Sequence, residues 1–441
     1  MSLTRKTLFI ALSAVAFALI AGLSEFTYLR WKAEHVPPQV SHWDRPLPAP
    51  APNAPPEVTP APEAAVPPES RTEHTIAEPV PYFPPPNNNL TGGSLGNQLV
   101  PGTDGIGDIF DVYFHQPTQA LYMAVVEYDG TRSVWRVAQD GRVERVMVVD
   151  SQPGEIQINA DGKGVIYVQA DNPVRVFRSD DAFKTWHEVA HDMPAMFWSI
   201  ADDGKGTLWG SMHGWNSAVL WRSPDDGFSW EPWVDFQTLF PEDAVQYAQD
   251  DSRFKLRHLH DVFYSAKSDA LFVGTGDVSR YALRSNDGGR TWKKIWDEGF
   301  TAHTAVGGGD RYLLAPDQLH SHGLVLYDAW KGTLKEVWNP IPYGWAGYSY
   351  SVINADGIYY AAFHTEANEV DSVVPKFGII VSPDAEHWYP FLEWGPLGHH
   401  ARTNIWLAPA DNRVYASVNG RLYAFKPLDK GWFADKTAFG K

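Results

Sequence analysis

The histidines are the residues of this sequence best suited to metal binding or catalysis. The chain has 441 residues with 16 histidines and no cysteine, so any metal must bind histidine, aspartate, glutamate or carbonyl oxygen. His258 and His260 lie two residues apart in a segment that reads as a strand, and side chains at that spacing point to the same side. We predict that they act together, as ligands of a divalent metal with His303, or as a catalytic base and the residue that orients it.

Other polar and aromatic residues near predicted strand ends complete the candidate site. Arg280 and Tyr281 follow the strand that ends in "GTGD" and are candidates for catalysis beside the histidine pair. The candidates for substrate binding are His213, Trp215, Arg257, Asp277, His303, Tyr348, His364 and Arg402. These residues are far apart in the sequence, so their significance depends on the fold that brings them together.

The composition limits the possible partners. A hydrophobic content of 44% with 14% aromatic residues is enough to bury a large core. The formal net charge of −17 argues against binding to nucleic acid, which needs a basic surface. We therefore expect no nucleic-acid partner.

The N-terminal segment has the pattern of an export signal. Arg5 and Lys6 precede an apolar run from Thr7 to about Leu23, and no good small-x-small cleavage site follows it. Roughly 20 apolar residues span a bilayer, so residues 1–32 favour an uncleaved transmembrane anchor over a cleaved signal peptide. This predicts a single-pass protein of the cell inner membrane, with the rest of the chain on the periplasmic side.

A proline-rich segment follows the predicted anchor. Residues 33–95 include "LPAPAPNAPPEVTPAPEAAVPP" and show almost no aliphatic periodicity. Proline fixes φ and removes a backbone donor, so we expect an extended linker that holds the folded part away from the membrane. A docking segment for an envelope protein partner is the alternative.

From residue 96 to 441 the sequence reads as a repeat of short strands. Three turns share arginine, serine, aspartate and tryptophan at matching spacing, namely "RSDDAFKTW", "RSPDDGFSW" and "RSNDGGRTW", and "VSPDAEHW" is a weaker copy. Each copy follows a short apolar strand, and the repeat spacing is about 42 to 44 residues where no insertion stretches it. The pattern predicts an all-β β-propeller with seven blades, or six if a terminal unit has been divided wrongly.

These turns resemble the Asp-box, S-x-D-x-G-x-T-W, of the sialidase/BNR-repeat superfamily. The resemblance covers the repeat region only, and it gives Asp181, Asp225, Asp287 and Asp384 a structural role in joining two strands of a blade. In that family the Asp-boxes lie away from the catalytic face, so the motif itself is poor evidence of sialidase activity.

Propeller topology predicts where the candidate residues meet. The connections into the innermost strands and those between second and third strands emerge at one end of the ring, and the Asp-box turns emerge at the other. We call the first end the histidine face, because His258, His303, His213 and His364 all fall there. We call the second end the turn face.

Three functions fit a histidine-rich face on an exported propeller. The first is recognition of a polysaccharide or other glycan in envelope or exopolysaccharide handling, with aromatic rings that stack on sugars. The second is a hydrolase or lyase with a histidine-centred, metal-dependent site, which the face resembles because oligogalacturonate lyases place a metal on channel histidines. The third is a sialidase, in which Arg257, Arg280 and Arg402 would hold the substrate carboxylate, but the "RIP" sequence expected before the first Asp-box is absent.

Overall fold

The structure is a computed structural model of the 441-residue chain. It describes residues 74–75 and 99–438, with gaps at 153, 215, 247–253, 318–322, 346–347, 365–376, 395–404 and 435. The predicted anchor (1–32) and nearly all of the predicted linker (33–95) lie outside the described residues. Within the described part of the chain, no helix is long and apolar enough to cross a membrane.

The described chain forms a seven-bladed all-β propeller, as the repeats predict, and the six-bladed alternative is wrong. Every blade is an antiparallel sheet whose strands follow chain order from the channel outward. The strands of blades 1 to 3 are β2 Asp108–His115, β3 Ala120–Val126, β4 Arg132–Val137, β5 Val143–Asp150, β6 Ile156–Ala160, β7 Ile166–Ala170, β8 Val174–Ser179, β9 Thr185–Met193, β10 Met196–Asp202, β11 Leu208–His213, β12 Val219–Ser223 and β13 Glu231–Asp235. A two-residue strand, β1 His74–Thr75, pairs with the outer edge of blade 2.

Blades 4 to 7 repeat the arrangement. Their strands are β14 Leu256–Ser265, β15 Ala270–Asp277, β16 Ala282–Ser285, β17 Lys293–Trp296, β18 Phe300–Ala305, β19 Arg311–Pro316, β20 Leu324–Asp328, β21 Thr333–Trp338, β22 Tyr348–Ala355, β23 Ile358–His364, β24 Phe377–Ser382, β25 Tyr389–Trp394, β26 Ile405–Ala410, β27 Arg413–Val418 and β28 Arg421–Phe425. The helices are short: α1 Phe236–Leu239 and 3₁₀ turns at Gln116–Thr118, Ile341–Tyr343 and Lys430–Phe433.

The ring closes through the residues that precede blade 1. Leu99 forms an antiparallel bridge with Tyr423, and the Val100 N–H donates to the Leu422 carbonyl at 3.0 Å. This segment thus takes the outer position of blade 7, whose own described strands number three. The inner strands of blades 1 and 7, β2 and β26, are also in contact. Closure by an early segment covers an edge that would otherwise be open to pairing with another chain.

A side-chain hydrogen bond joins the blades at every junction. Each uses a residue of one blade and a backbone or side-chain group near the inner edge of the next, so the channel wall is linked all the way round. The pairs in ring order are Asp111 with Ile158, Gln169 with Phe197, Ser199 with Val262, Asp261 with His303, Thr301 with Ser349, Ser351 with Leu407, and Ser417 with Ile109.

The four aspartate turns join the third and fourth strands of their blades, as predicted. Asp181 accepts bonds from the Ser179 hydroxyl at 3.1 Å, the Thr185 N–H at 2.9 Å and the Thr185 hydroxyl at 2.8 Å. Asp225 and Asp287 repeat this pattern, and Asp384 does so with a histidine in place of threonine or serine. The tryptophans of the first and last turns are buried among residues of two adjacent blades. The turns are therefore scaffolding.

Candidate functional site

The inner strands carry β-bulges at the end that forms the histidine face. A bulge places two residues of one strand opposite one residue of its partner, and so redirects a side chain. Bulges interrupt the pairing of β2, β10, β14, β18 and β22 with their neighbours. The residues within these bulges include Phe110, Trp198, His260, Thr301 and Tyr350. The irregular backbone therefore positions different side chains at one level of the channel.

His258 and His260 meet His213 at this face. Their ring centroids lie 4.3 Å apart for His213 and His258, 5.4 Å for His213 and His260, and 4.8 Å for His258 and His260. One ring nitrogen from each histidine lies within 4.8 Å of the other two. His213 ends β11 in blade 3, and the other two begin β14 in blade 4, so we name these three residues the histidine cluster.

Two carboxylates border the histidine cluster. Asp277 Oδ2 lies 3.4 Å from His258 Nε2, and Asp317 Oδ2 lies 3.4 Å from His260 Nδ1. The two acids are themselves connected, because the Asp277 N–H donates to Asp317 Oδ2 at 2.7 Å. Arg257 forms an ion pair with Asp277. Two negative charges and one positive charge therefore surround the three imidazoles.

The environment favours the neutral form of His213 and of His260. Burial, followed by the neighbouring histidines, holds the pKa of His213 and of His260 well below the usual range. Burial would raise the pKa of Asp277, but attraction to His258 and to Arg257 outweighs it and lowers that pKa. The site therefore combines uncharged nitrogen donors on His213 and His260 with the ionised carboxylate of Asp277, which is the state in which such groups bind cations.

Two imidazole nitrogens in the cluster are buried without a hydrogen-bond partner in the part of the chain that the structure describes. His258 is 6% exposed and His260 is 2% exposed, and neither His258 Nε2 nor His260 Nδ1 has a hydrogen-bond partner among the described residues. Buried polar groups in folded proteins are nearly always satisfied, so these atoms require an explanation.

Gly276 leaves the space that the rings of His258 and His260 occupy. A Cβ on Gly276 would lie 2.2 Å from His260 Cε1 and 2.6 Å from His258 Nε2, both far inside contact distance. At the bulge between β14 and β15, two residues, Arg257 and His258, lie opposite the single residue Gly276. The absence of a side chain at residue 276 is therefore a condition for the cluster.

Three aromatic rings meet across the channel next to the cluster. Trp198, Tyr350 and Trp406 come from blades 3, 6 and 7, with centroid separations of 4.8, 5.9 and 6.2 Å, and we call them the aromatic group. All three are partly exposed. The Trp198 indole N–H donates to the Thr301 carbonyl at 2.8 Å, and its ring lies 5.0 Å from that of His260. The aromatic group and the histidine cluster thus form one continuous surface.

The structure brings together some of the predicted site residues and separates others. His213, His258 and His260 form the histidine cluster, and Asp277 lies beside it in an ion pair with Arg257. Tyr348 and His364 are buried beside Tyr350, with the His364 and Tyr350 rings 4.1 Å apart. Trp215 and Arg402 lie outside the described residues.

The remaining three candidates, His303, Arg280 and Tyr281, are not members of the histidine cluster. His303 Nδ1 lies 2.5 Å from Asp261 Oδ2, and its ring stacks on Phe263, so it belongs to a junction between blades rather than to the cluster.

Arg280 and Tyr281 also make contacts within the chain. Arg280 donates to Glu298 and to the Asp277 carbonyl, each at 3.0 Å. The Tyr281 hydroxyl donates to Asp243 at 2.7 Å, and Lys294 Nζ lies 3.5 Å from the centre of its ring. Tyr281 therefore faces the outer part of blade 4.

The sequence reasoning missed Trp198, Trp406 and Gly276. Trp198 occupies the same bulge position in blade 3 that His260 occupies in blade 4, and aligning "MFWSI" with "RHLHDV" at the strand starts would have identified it. Gly276 stands beside Asp277 in "GTGD", where the motif offers no sign of the histidines across the strand pair.

Comparison with known proteins supports the fold. No family model and no curated protein matches the chain. The GH74 xyloglucanase from Xanthomonas campestris is similar in structure, with a TM-score of 0.52 and 16% identity over 81% of this chain and 54% of the xyloglucanase. This chain thus spans about half the length of the xyloglucanase.

Two further structures resemble the chain at the level of the fold. Virginiamycin B lyase from Staphylococcus aureus has a TM-score of 0.51 and 9% identity, over 75% of this chain and 98% of the lyase. A protein described as the extracellular domain of a one-component system from B. thetaiotaomicron has a TM-score of 0.50 and 10% identity, over 75% of this chain and 40% of its own. At these identities the likenesses establish a shared propeller fold and assign no family.

Proposed function

We propose that the protein is a membrane-tethered, periplasmic propeller that binds carbohydrate on its histidine face. The observation that carries the proposal is the aromatic group. Trp198, Tyr350 and Trp406 present partly exposed rings beside histidines and carboxylates, and sugar rings bind to such surfaces by stacking an apolar face while their hydroxyls bond to polar groups.

The other parts of the proposal come from the sequence. Residues 1–32 have the pattern of an inner-membrane anchor, and residues 33–95 that of an extended spacer. A tethered binding propeller suits the handling of envelope or exopolysaccharide glycans, with an envelope protein as a further partner. The likeness to a xyloglucanase is compatible with this use of the fold. We extend the sialidase/BNR resemblance to the turns and scaffold only.

The test compares two tryptophans at opposite ends of the propeller. The full-length chain, purified with detergent, is titrated with a panel of acidic and neutral bacterial polysaccharides. Trp198→Ala should weaken binding about tenfold or more, because it removes the ring at the centre of the aromatic group. Trp330→Ala is the matched control, since Trp330 is 82% exposed in the turn between β20 and β21 on the turn face. Equal affinity for both variants, or no polysaccharide bound by the unaltered chain, would contradict the proposal.

A second candidate function is a polysaccharide lyase or hydrolase. The observation that favours it is the histidine cluster, which sets a potential proton acceptor beside ionised carboxylates. In the same titration, ultraviolet absorbance reports unsaturated products and a reducing-end assay reports hydrolysis. Product that is lost in the His258→Ala, His260→Ala double variant would establish an enzyme. Binding without product across the panel would favour recognition alone.

The sialidase alternative finds less support in the described residues. Arg257 and Arg280, two of the arginines required to hold a substrate carboxylate, bind Asp277 and Glu298 of the chain itself. Tyr281, the nearest tyrosine in sequence, faces the outer part of blade 4. We therefore rank the sialidase function below carbohydrate recognition and below the lyase or hydrolase.

A further inference from the structure

We infer that the histidine cluster binds a single divalent transition-metal ion of the zinc class through the imidazoles of His213, His258 and His260. The ion would be a cofactor for the face on which the proposed function rests, but the inference depends only on the geometry of the chain. Its ligand set differs from the one expected from the sequence, because His213 replaces His303.

The donor atoms of the three histidines lie close together. One nitrogen from each of the three histidines lies within 4.8 Å of the others. A zinc ion bound to nitrogens at about 2.0–2.1 Å in a tetrahedral site needs donors that are closer still. Three imidazole nitrogens from two blades are thus already grouped close to the separation that a bound ion requires.

Two nitrogens of the cluster would gain a partner from a bound cation. His258 Nε2 and His260 Nδ1 are buried without a hydrogen-bond partner among the described residues, and leaving a buried polar atom unsatisfied costs about 1–3 kcal/mol. A cation would remove that cost. An ordinary pair of structural histidines would instead be expected to bond to Asp277 or Asp317, whose oxygens stop 3.4 Å away.

Charged side chains lie around the cluster. The carboxylates of Asp277 and Asp317 and the guanidinium of Arg257 lie around the three imidazoles. A divalent cation is attracted to such a set. Asp277 Oδ2 and Asp317 Oδ2 lie 3.4 Å from His258 Nε2 and His260 Nδ1, the nitrogens that would bind the ion, so both carboxylates are placed to stabilise its charge directly.

The donor chemistry selects the class of metal. Imidazole nitrogen suits Zn²⁺, Co²⁺, Ni²⁺ and Fe²⁺, whereas Ca²⁺ and Mg²⁺ prefer sites made of oxygen. Three protein ligands leave a fourth position open, as in catalytic zinc sites. Because Trp198 lies beside His260, an acidic sugar bound to the aromatic group could supply its carboxylate to the ion; this last consequence rests on the proposed function.

The experiment uses Co²⁺ as a spectroscopic probe of the full-length chain. After chelation and dialysis, the unaltered protein should bind one equivalent of Co²⁺ with visible d–d absorption, and Zn²⁺ should displace it. Zn²⁺ should also raise the melting temperature, because a ligand of the native state stabilises it. Excess Ca²⁺ should do neither. Absence of a stoichiometric cobalt spectrum in the unaltered protein would overturn the inference.

Two variants locate the site. His258→Ala removes a donor, and Gly276→Ala keeps all three donors but fills the space they occupy, so each should weaken cobalt binding at least tenfold. His191→Ala is the matched control, because His191 is a 52% exposed histidine on β9 of blade 2. Equal loss in the control, or unchanged binding in both site variants, would place the metal elsewhere.

A third variant separates this inference from the proposed function. Trp198→Ala should lose carbohydrate and keep its equivalent of Co²⁺. If cobalt binds as expected and no polysaccharide does, the metal site stands and the carbohydrate proposal fails. If polysaccharide binds with full affinity to a protein that takes up no metal, the carbohydrate proposal stands and the metal site fails.

Discussion

The turn face and the histidine face use their polar side chains in opposite ways. On the turn face, Asp181 has three bonds from its own turn within 3.1 Å. On the histidine face, His258 Nε2 and His260 Nδ1 are buried and lack a hydrogen bond among the described residues. Polar groups that bond to one another within a turn stabilise the fold. Buried polar groups without such a bond are candidates for binding a ligand or an ion.

A groove on the turn face also differs from the histidine cluster in how its polar groups are partnered. It measures about 320 Å³ and lies between blades 3 and 4. Its charged side chains already have partners: Arg222 pairs with Glu231 and lies 3.7 Å from the centre of the Trp233 ring, and Lys205 pairs with Asp269 at 2.6 Å. Concavity alone therefore does not identify a functional site. Whether the polar groups already have partners within the chain is the better guide.

The largest expected effect tests the scaffolding role of the turn face. Trp388 is 1% exposed and packs among residues of blades 5 and 6, so Trp388→Ala should lower the free energy of unfolding by about 3–5 kcal/mol. Denaturant titration measures the change. Trp330→Ala, at an exposed tryptophan, is the control and should cost far less. Similar losses in the two variants would mean that the turn tryptophans do not hold adjacent blades together.

The next effect concerns the channel wall between the two faces. Burial raises the pKa of Asp111 from 3.8 to about 7, although hydrogen bonds from the Ile158 and Val112 N–H groups oppose the shift. The native state therefore holds a proton that the unfolded state releases between these values, and above pH 7 the folded protein carries the whole cost of the buried charge.

Asp111→Asn removes that cost while keeping an acceptor oxygen. The variant should be more stable than the unaltered protein by about 2 kcal/mol at pH 8, and the difference should shrink as the pH falls toward 5. Unfolding titrations at several pH values measure it. A stability difference that is independent of pH would show that Asp111 remains ionised throughout, as an exposed aspartate does.

The part of the structure that repeats could be predicted from the sequence, and the part that occurs once could be predicted only partly. The turn around Asp181 is built from neighbouring residues, and its copies in other blades set the period and hence the number of blades. His258 and His260 were assigned correctly to one side of a strand because they share that strand.

His213 and His303 show why the rest of the site was harder to predict. Both fall on the predicted face, yet His213 joins the cluster and His303 bonds to Asp261 at a junction between blades. The distinction depends on bulges in the inner strands, which shift the register by one residue and change the direction of a side chain. Bulges arise from packing between blades, so the spacing of residues within one strand does not reveal them.

A smaller effect is expected for a single aspartate of the turn face. Asp181→Ala leaves the Thr185 N–H and two hydroxyls without their acceptor, and should lower the free energy of unfolding by about 1 kcal/mol. Carbohydrate and cobalt binding should stay unchanged, because the turn lies at the opposite end of the propeller. Asp297→Ala, at an exposed aspartate that follows β17, is the control. A variant of normal stability that had lost ligand binding would reverse the roles assigned to the two faces.

The smallest effect concerns the divergent turn in blade 6. His387 replaces the threonine of the repeat, and its Nδ1 lies 2.8 Å from Asp384 Oδ2, where the other turns place a hydroxyl. His387→Thr should restore that hydroxyl bond and change the free energy of unfolding by about 0.5 kcal/mol or less, because one hydrogen bond replaces another. Thermal unfolding at neutral pH measures the change, with Thr185→His as the reverse substitution in blade 2. A large loss on His387→Thr would mean that the histidine has a role beyond its turn, and would weaken the distinction between a locally satisfied turn face and an unsatisfied histidine face.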